Sequence, residues 1–192
     1  MDASAKTILL EPFEALTQWS EKQNSVISPS VIELFTRHSQ TGTTRVLPGP
    51  TGERNTYTLR PRGLILCLSD NEQDCLTQLT AVLSAGCQVL WPDSELHQKL
   101  FKSLPEKVRK TISITKNWIE SKEPIEGVIY HGDSDQLKEV CAVVAQRKGP
   151  IISVQGFERG ETNLLTERLL HERSLSVNTA AAGGNASLMT IG

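Results

Sequence analysis

Apolar and polar positions along the chain switch repeatedly between the continuous runs of buried strands and the three-to-four spacing of amphipathic helices. The stretch Leu64–Pro92 sets the frame. Leu64-Ile65-Leu66-Cys67-Leu68 is an apolar run with no polar break, as a strand buried on both faces requires. Ser69-Asp70-Asn71-Glu72 supplies turn and N-cap chemistry. Leu76, Leu79, Val82 and Leu83 then recur at helical spacing, and Gly86 is placed to end that helix. Cys87–Trp91 predicts a second strand, closed by Pro92. Two buried strands joined by one helix make a right-handed βαβ unit.

The same reading extends to both sides. Residues 5–22 carry Ile8, Leu9, Phe13, Leu16 and Trp19 on one stripe and predict a helix. Residues 29–38 predict another, with Ser28 or Ser30 as cap, Pro29 in the first turn, and Val31, Leu34 and Phe35 inward. Leu47–Asn55 is rich in Pro and Gly and reads as turns, and Tyr57–Arg60 reads as an edge strand. Ser94–Leu104 predicts a helix burying Leu96, Leu100 and Leu104; Glu106–Lys110 resumes it after Pro105, and Ile112–Ile114 is a brief strand. Gly127–His131 predicts a strand, residues 135–147 a helix burying Leu137, Val140, Cys141 and Val144, and Ile151–Val154 the next strand. Thr162–Glu172 is expected to be a helix, and Leu175–Asn178 a last core strand. Strands alternating with helices define an α/β protein with a Rossmann-like, doubly wound, mostly parallel sheet.

Composition narrows the functional classes. With 192 residues and a net charge of −2, no broad basic face for nucleic acid is implied. The apolar runs are far shorter than the ~20 residues a membrane helix needs. The N-terminus has neither the basic nor the apolar region of a signal peptide, so a cytoplasmic location is expected. Cys67, Cys75, Cys87 and Cys141 lack metal or disulfide spacing and read as buried free thiols. No GxGxxG follows a strand. The nearest phosphate cradle is Gly132-Asp133-Ser134, where a carboxylate stands in the place of a pyrophosphate and an N-cap role suits Asp133 or Ser134 better. His38, His97, His131 and His171 share no metal spacing; surface or capping roles are expected, with His131 placed at a strand's carboxyl end, where ligands gather. Apolar surroundings raise a thiol's pKa, which argues against a Cys–His nucleophile. Asp70, Glu72 and Asp74 lie at a helix N-terminus, which repels cations, and Trp91 reads as core.

Several segments resemble the nicotinamide-binding lobe of the aldehyde dehydrogenase superfamily. Pro61–Ser69 resembles the strand before that family's Pro-Trp-Asn-Phe-Pro loop, and Ser84–Glu95 its "AAGNTVVLKPSE" strand. Val128–Gln146 resembles its "FTGS" segment, Pro150–Phe157 the strand bearing its "ELGG" motif, and Leu175–Asn178 its "YVNR" strand. Leu47–Pro61 and Arg173–Gly192 are similar to the C-terminal region of long proline utilization A, a family of bacterial flavoenzymes joining a proline dehydrogenase to a Δ1-pyrroline-5-carboxylate dehydrogenase.

That resemblance implies a degenerate copy. The family's ribose-binding lysine falls at Trp91, its oxyanion asparagine near Glu72, its phosphate turn at Gly132 and its general-base glutamate at Val154, while the nucleophile's lobe has no counterpart. The implied divisions are a helical segment 1–45, a degenerate Rossmann domain 46–178 and a tail 179–192. No catalytic, cofactor or metal site is implied in the chain itself; NAD and FAD belong to the parent protein. The implied role is structural: packing on the aldehyde dehydrogenase module of the same or a neighbouring polypeptide, with the tail as a flap over the tunnel between active sites. Asn178, Ala181, Gly183, Gly184, Leu188, Met189 and Ile191 are the implied contacts. A vestigial NAD-binding module and a small enzyme using His131 and a cysteine are the alternatives.

Overall fold

The computed structural model describes the backbone of residues 3–178 and the side chains from Ile8 onward. Two helices open the chain, α1 (Ala3–Lys22) and α2 (Pro29–His38), followed by strands β1 (Thr44–Leu47) and β2 (Glu53–Pro61). Then come β3 (Leu64–Leu68), α3 (Glu72–Ser84), β4 (Gln88–Pro92), α4 (Glu95–Ser103), α5 (Glu106–Arg109), β5 (Ile112–Thr115), β6 (Ile125–His131), α6 (Ser134–Ala145) and β7 (Ser153–Phe157). A 3-10 turn, Thr166–Leu169, leads into β8 (Leu170–Asn178).

Five strands form one parallel sheet in the order β5-β4-β3-β6-β7. Alternation along the strands divides the core in two. Ile65, Cys67, Val89, Trp91 and Ile129 face α3 and α5, where Phe13 and Leu16 of α1 and Val31 and Phe35 of α2 join the same cluster. Leu64, Leu66, Leu90, Val128 and Tyr130 face the other way, with Val144 of α6. The N-terminal helices thus cover one face of the sheet and α6 covers the other.

Three helices are capped by local side chains, whereas the cap expected at α2 is not made, because the Ser28 and Ser30 hydroxyls bond each other at 2.8 Å. Asn71 accepts from the Asp74 N–H, Ser94 from the His97 N–H, and Asp133 from Asp135 and Gln136. At the end of α3, Gly86 N–H reaches the Leu83 carbonyl and Cys87 N–H the Val82 carbonyl, with Gly86 at φ 74°, which is a Schellman closure.

The C-terminal region departs from the expected pattern. Residues 162–172 do not form a helix: a single 3-10 turn is followed by strand from Leu170. Leu175–Asn178 is not a core strand either. β8 pairs antiparallel with β2 over nine residues, and β2 pairs with β1, giving a separate three-stranded ribbon with β2 at its centre. Tyr57–Arg60 is therefore a central strand, not an edge. Beyond Leu170 every β8 residue is exposed. Among the described residues no helix is long and apolar enough to cross a membrane.

Candidate functional site

In a doubly wound sheet, ligands bind beyond the carboxyl ends of the strands, where the strand order reverses. Here that point lies between β3 and β6. A cleft of about 780 Å³ opens there, lined by Ser69, Trp118, Tyr130 and Val140 among others. Its charged lining residues are Asp70, Glu95 and Glu139, with no lysine or arginine.

Beside this open cleft, the chain's own residues occupy the turn at Gly132 and the first turn of α6, where a phosphate would be held. Tyr130 Oη donates to Gln136 Oε1 at 2.9 Å. In that pose it lies over Gly132, so close that a Cβ there would stand 2.1 Å from the hydroxyl. The Asp133 carboxylate takes the N–H groups of Asp135 and Gln136 at 3.0 and 2.9 Å, leaving the first turn of α6 already bonded to an anion. Residues 159–161 strap across the edge. Arg159 pairs with Asp70, its Nε 3.2 Å from Oδ1. The Gly160 N–H donates to Asp74 Oδ1 at 2.9 Å, and the Glu161 carbonyl accepts from His131 Nε2 at 2.9 Å. The Arg159 guanidinium holds the Asp70 carboxyl below its ordinary pKa. A diphosphate would meet three carboxylates, a capped helix and no free cation in the lining, so the residues present do not fit NAD.

His131 is buried and satisfied. Because a carbonyl can only accept, Nε2 carries the proton, and Nδ1 accepts from Gln78 Nε2 at 2.8 Å. Its ring stacks on Phe157 at 5.4 Å. It is not a surface residue, and neither is His97. His97 Nδ1 lies 2.8 Å from Ser94 Oγ and Nε2 lies 3.5 Å from Cys75 Sγ, with Ser69 Oγ 3.0 Å beyond. The sequence gives no local sign of this pairing, because strand β4 intervenes. Burial pushes the Cys75 thiol to about 11 and holds His97 below its ordinary value. Both groups are therefore neutral at physiological pH, and no thiolate–imidazolium nucleophile forms. Burial likewise raises Cys67, and raises Cys87 to about 12. Cys141 breaks the expectation of four buried thiols: it lies on the uncovered side of α6 and is exposed.

The four positions that the resemblance marks as degenerate are not brought together. Trp91 is wholly buried against α3, its ring 5.2 Å from that of His97. Glu72 is exposed in the first turn of α3, Gly132 sits beneath Tyr130, and Val154 packs on the α6 side of the sheet. Of the residues expected to make tail contacts only Asn178 is described, paired with Glu53 at the ribbon tip. Ala181, Gly183, Gly184, Leu188, Met189 and Ile191 lie outside the described residues. Asp70 and Asp74 are taken up by the strap, and no group of three potential ligands for a metal occurs among the described residues.

This geometry defines an aldehyde-dehydrogenase-like Rossmann fold whose phosphate-binding turn is occupied by the chain's own Tyr130 and Asp133. Solved structures agree on the fold: the chain resembles proline utilization A (PutA) with proline bound in remote sites, at TM-score 0.60 and 19% identity over 79% of this chain and 19% of that one. It also resembles Staphylococcus aureus AldH, at TM-score 0.52 and 13% identity over 81% of this chain and 41% of that one. Sequence relatives are more specific. The chain is 55% identical, over its full length, to the bifunctional protein PutA of Escherichia coli K12, and 40% identical over 76% of its length to that of Rhizobium meliloti. It belongs to the proline utilization A family. It spans about 14% of the length of the first of these relatives and 12% of the second. No protein-family model matches.

Proposed function

We propose that this chain is a non-catalytic structural module of a bifunctional proline-catabolic enzyme, one that converts proline to glutamate through pyrroline-5-carboxylate. The parent would carry FAD for the first oxidation and NAD for the second, in the cytoplasm, with this module holding neither. It would stabilise the aldehyde dehydrogenase module and, through residues 179–192, cover the tunnel along which the intermediate passes. The observation that carries this reading is the self-occupied phosphate turn: Tyr130 over Gly132, Asp133 on α6, and the Arg159–Glu161 strap bonded to Asp70, Asp74 and His131. An enzyme retaining its cofactor site has no use for such internal occupants, whereas a packing module gains rigidity from them.

The test is kinetic. Deleting residues 179–192 from the bifunctional polypeptide is expected to introduce a lag in NADH formation from proline, because the intermediate escapes and must be recaptured. Lag-free coupling after the deletion refutes the covering role.

A further inference from the structure

The open cleft beside the occupied phosphate turn has a chemistry of its own. The crossover from β5 to β6, residues 116–124, carries no helix, and its Trp118 forms one wall. Gln136, Glu139, Val140 and Val143, spaced to share one face of α6, form the wall opposite. Leu68, Pro92 and Tyr130, from the carboxyl ends of β3, β4 and β6, make the floor. Small-molecule sites are concave, mostly apolar hollows of about 300–1,000 Å³. This one is mostly apolar, and its volume is about 780 Å³.

Its polar groups lean one way. Of the three carboxylates in the lining, Asp70 is held by Arg159. Glu95 and Glu139 make no ion pair among the described residues. Glu95 has a structural duty, because it complements the positive end of α4. Glu139 stands in the middle of α6, where it caps nothing. Behind the floor lies Gln78, wholly buried. Its Nε2 bonds the Leu68 carbonyl and His131 Nδ1, both bordering the cleft, and its Oε1 has no partner. The cleft therefore offers idle acceptors and two aromatic rings, and no lysine or arginine.

We infer that this cleft binds a small organic cation, an ammonium or guanidinium group carried on an apolar body. Such a site goes beyond the structural role and does not depend on it. The apolar body gains by leaving water for the walls of Leu68, Val140 and Val143. The charged head is drawn to Glu95 and Glu139 and to the ring faces of Trp118 and Tyr130. A metal ion fits less well, because no group of three potential ligands occurs among the described residues. Anions are repelled by all three carboxylates. A cationic side chain of the parent protein has the same head-group chemistry, and the full-length protein distinguishes it from a free ligand.

Phenethylamine, cationic at neutral pH, is the probe, with 2-phenylethanol and phenylacetate as its neutral and anionic counterparts. Binding to the 192-residue chain is read by NMR at the indole N–H resonances of Trp19, Trp91 and Trp118. Phenethylamine is expected to shift the Trp118 resonance saturably, to leave Trp19 unmoved, and to bind about tenfold more tightly than 2-phenylethanol, with phenylacetate not binding. Glu95→Gln/Glu139→Gln should erase that preference and leave 2-phenylethanol binding unchanged, which also shows the cleft intact; both residues are exposed. Grafted into the full-length Escherichia coli relative, the chain should still bind 4-fluorophenethylamine, seen as fluorine line broadening that the double substitution removes. Broadening indifferent to that substitution assigns the cleft to a side chain of the parent and overturns the inference. Equal affinity for amine and alcohol overturns it, as does movement of Trp19 in place of Trp118. So does a double substitution that spares the preference or weakens both ligands alike, or an absence of saturation below about 10 mM. Each of these leaves the structural role standing.

Discussion

Gly132→Ala probes the occupied phosphate turn at its tightest point. The added Cβ would stand 2.1 Å from Tyr130 Oη, 2.6 Å from Cζ and 3.1 Å from Cε1. Ordinary contact starts near 3.4 Å, so the ring must withdraw by more than 1 Å. The ring borders the cleft but is only 7% exposed and packed in the α6-side core, with its hydroxyl bonded to Gln136, so withdrawing it disrupts both. Moving it adds an overpacking cost and breaks that hydrogen bond, together about 2–3 kcal/mol of unfolding free energy. The backbone cost of alanine at this turn is separated by a double-mutant cycle with Tyr130→Ser, which removes the ring. That cost is common to both backgrounds and cancels. Urea unfolding of the four proteins should therefore give a coupling of about 2 kcal/mol, with Gly132→Ala less damaging when Tyr130 is gone. Additive effects, with coupling under about 0.5 kcal/mol, would show that Tyr130 does not occupy the Gly132 site.

Thiol titration of the native protein with Ellman's reagent should find one fast group, Cys141, and three that react only on unfolding, because Cys67, Cys75 and Cys87 are buried and their thiols raised; two fast thiols would contradict the packing. Arg147 donates to the carbonyls of Trp118, Ser121 and Glu123 at 3.0, 2.8 and 3.0 Å, and so ties the helix-free crossover between β5 and β6 to the end of α6. Arg147→Ala should cost about 2 kcal/mol and speed proteolysis within residues 116–124, and unchanged stability and cleavage would refute the clamp. Asp70 titrates below its unfolded value of 3.8 because Arg159 bonds its charged form, so its contribution to stability is present above 3.8 and is lost as the pH falls through the lower folded value. Arg159→Ala should therefore shrink the fall in urea midpoint between about pH 4 and 2.5, and an unchanged fall would contradict the pairing.

The parallel sheet was legible because its signals are local. The unbroken run Leu64–Leu68, the cap at Asn71 and the stop at Gly86 each act within a turn or two of chain, and each stands where the sequence placed it. Pairing between distant segments left no such mark. Leu165, Leu169 and Leu170 have helical spacing, yet Leu170 begins a strand because the next residues bond to β2 more than a hundred positions earlier. Cys141 follows Leu137 by four residues, but α6 has only the sheet beneath it, and its stripe is narrower than the pattern suggests. At the crevice, the chemistry of Asp133 as an N-cap was readable from its neighbours, whereas the Arg159–Asp70 strap and the Cys75–His97 contact exist only once strands from separate βαβ units lie side by side.

The most direct test of the central claim is calorimetric titration of the chain with NAD⁺ and NADH. A phosphate turn occupied by Tyr130, Asp133 and the Arg159–Glu161 strap predicts no saturable heat up to about millimolar ligand, a bound weaker than about −4 kcal/mol. Saturable binding at about micromolar concentration would show that a working cofactor site survives and that the occupied phosphate turn does not describe the protein in solution.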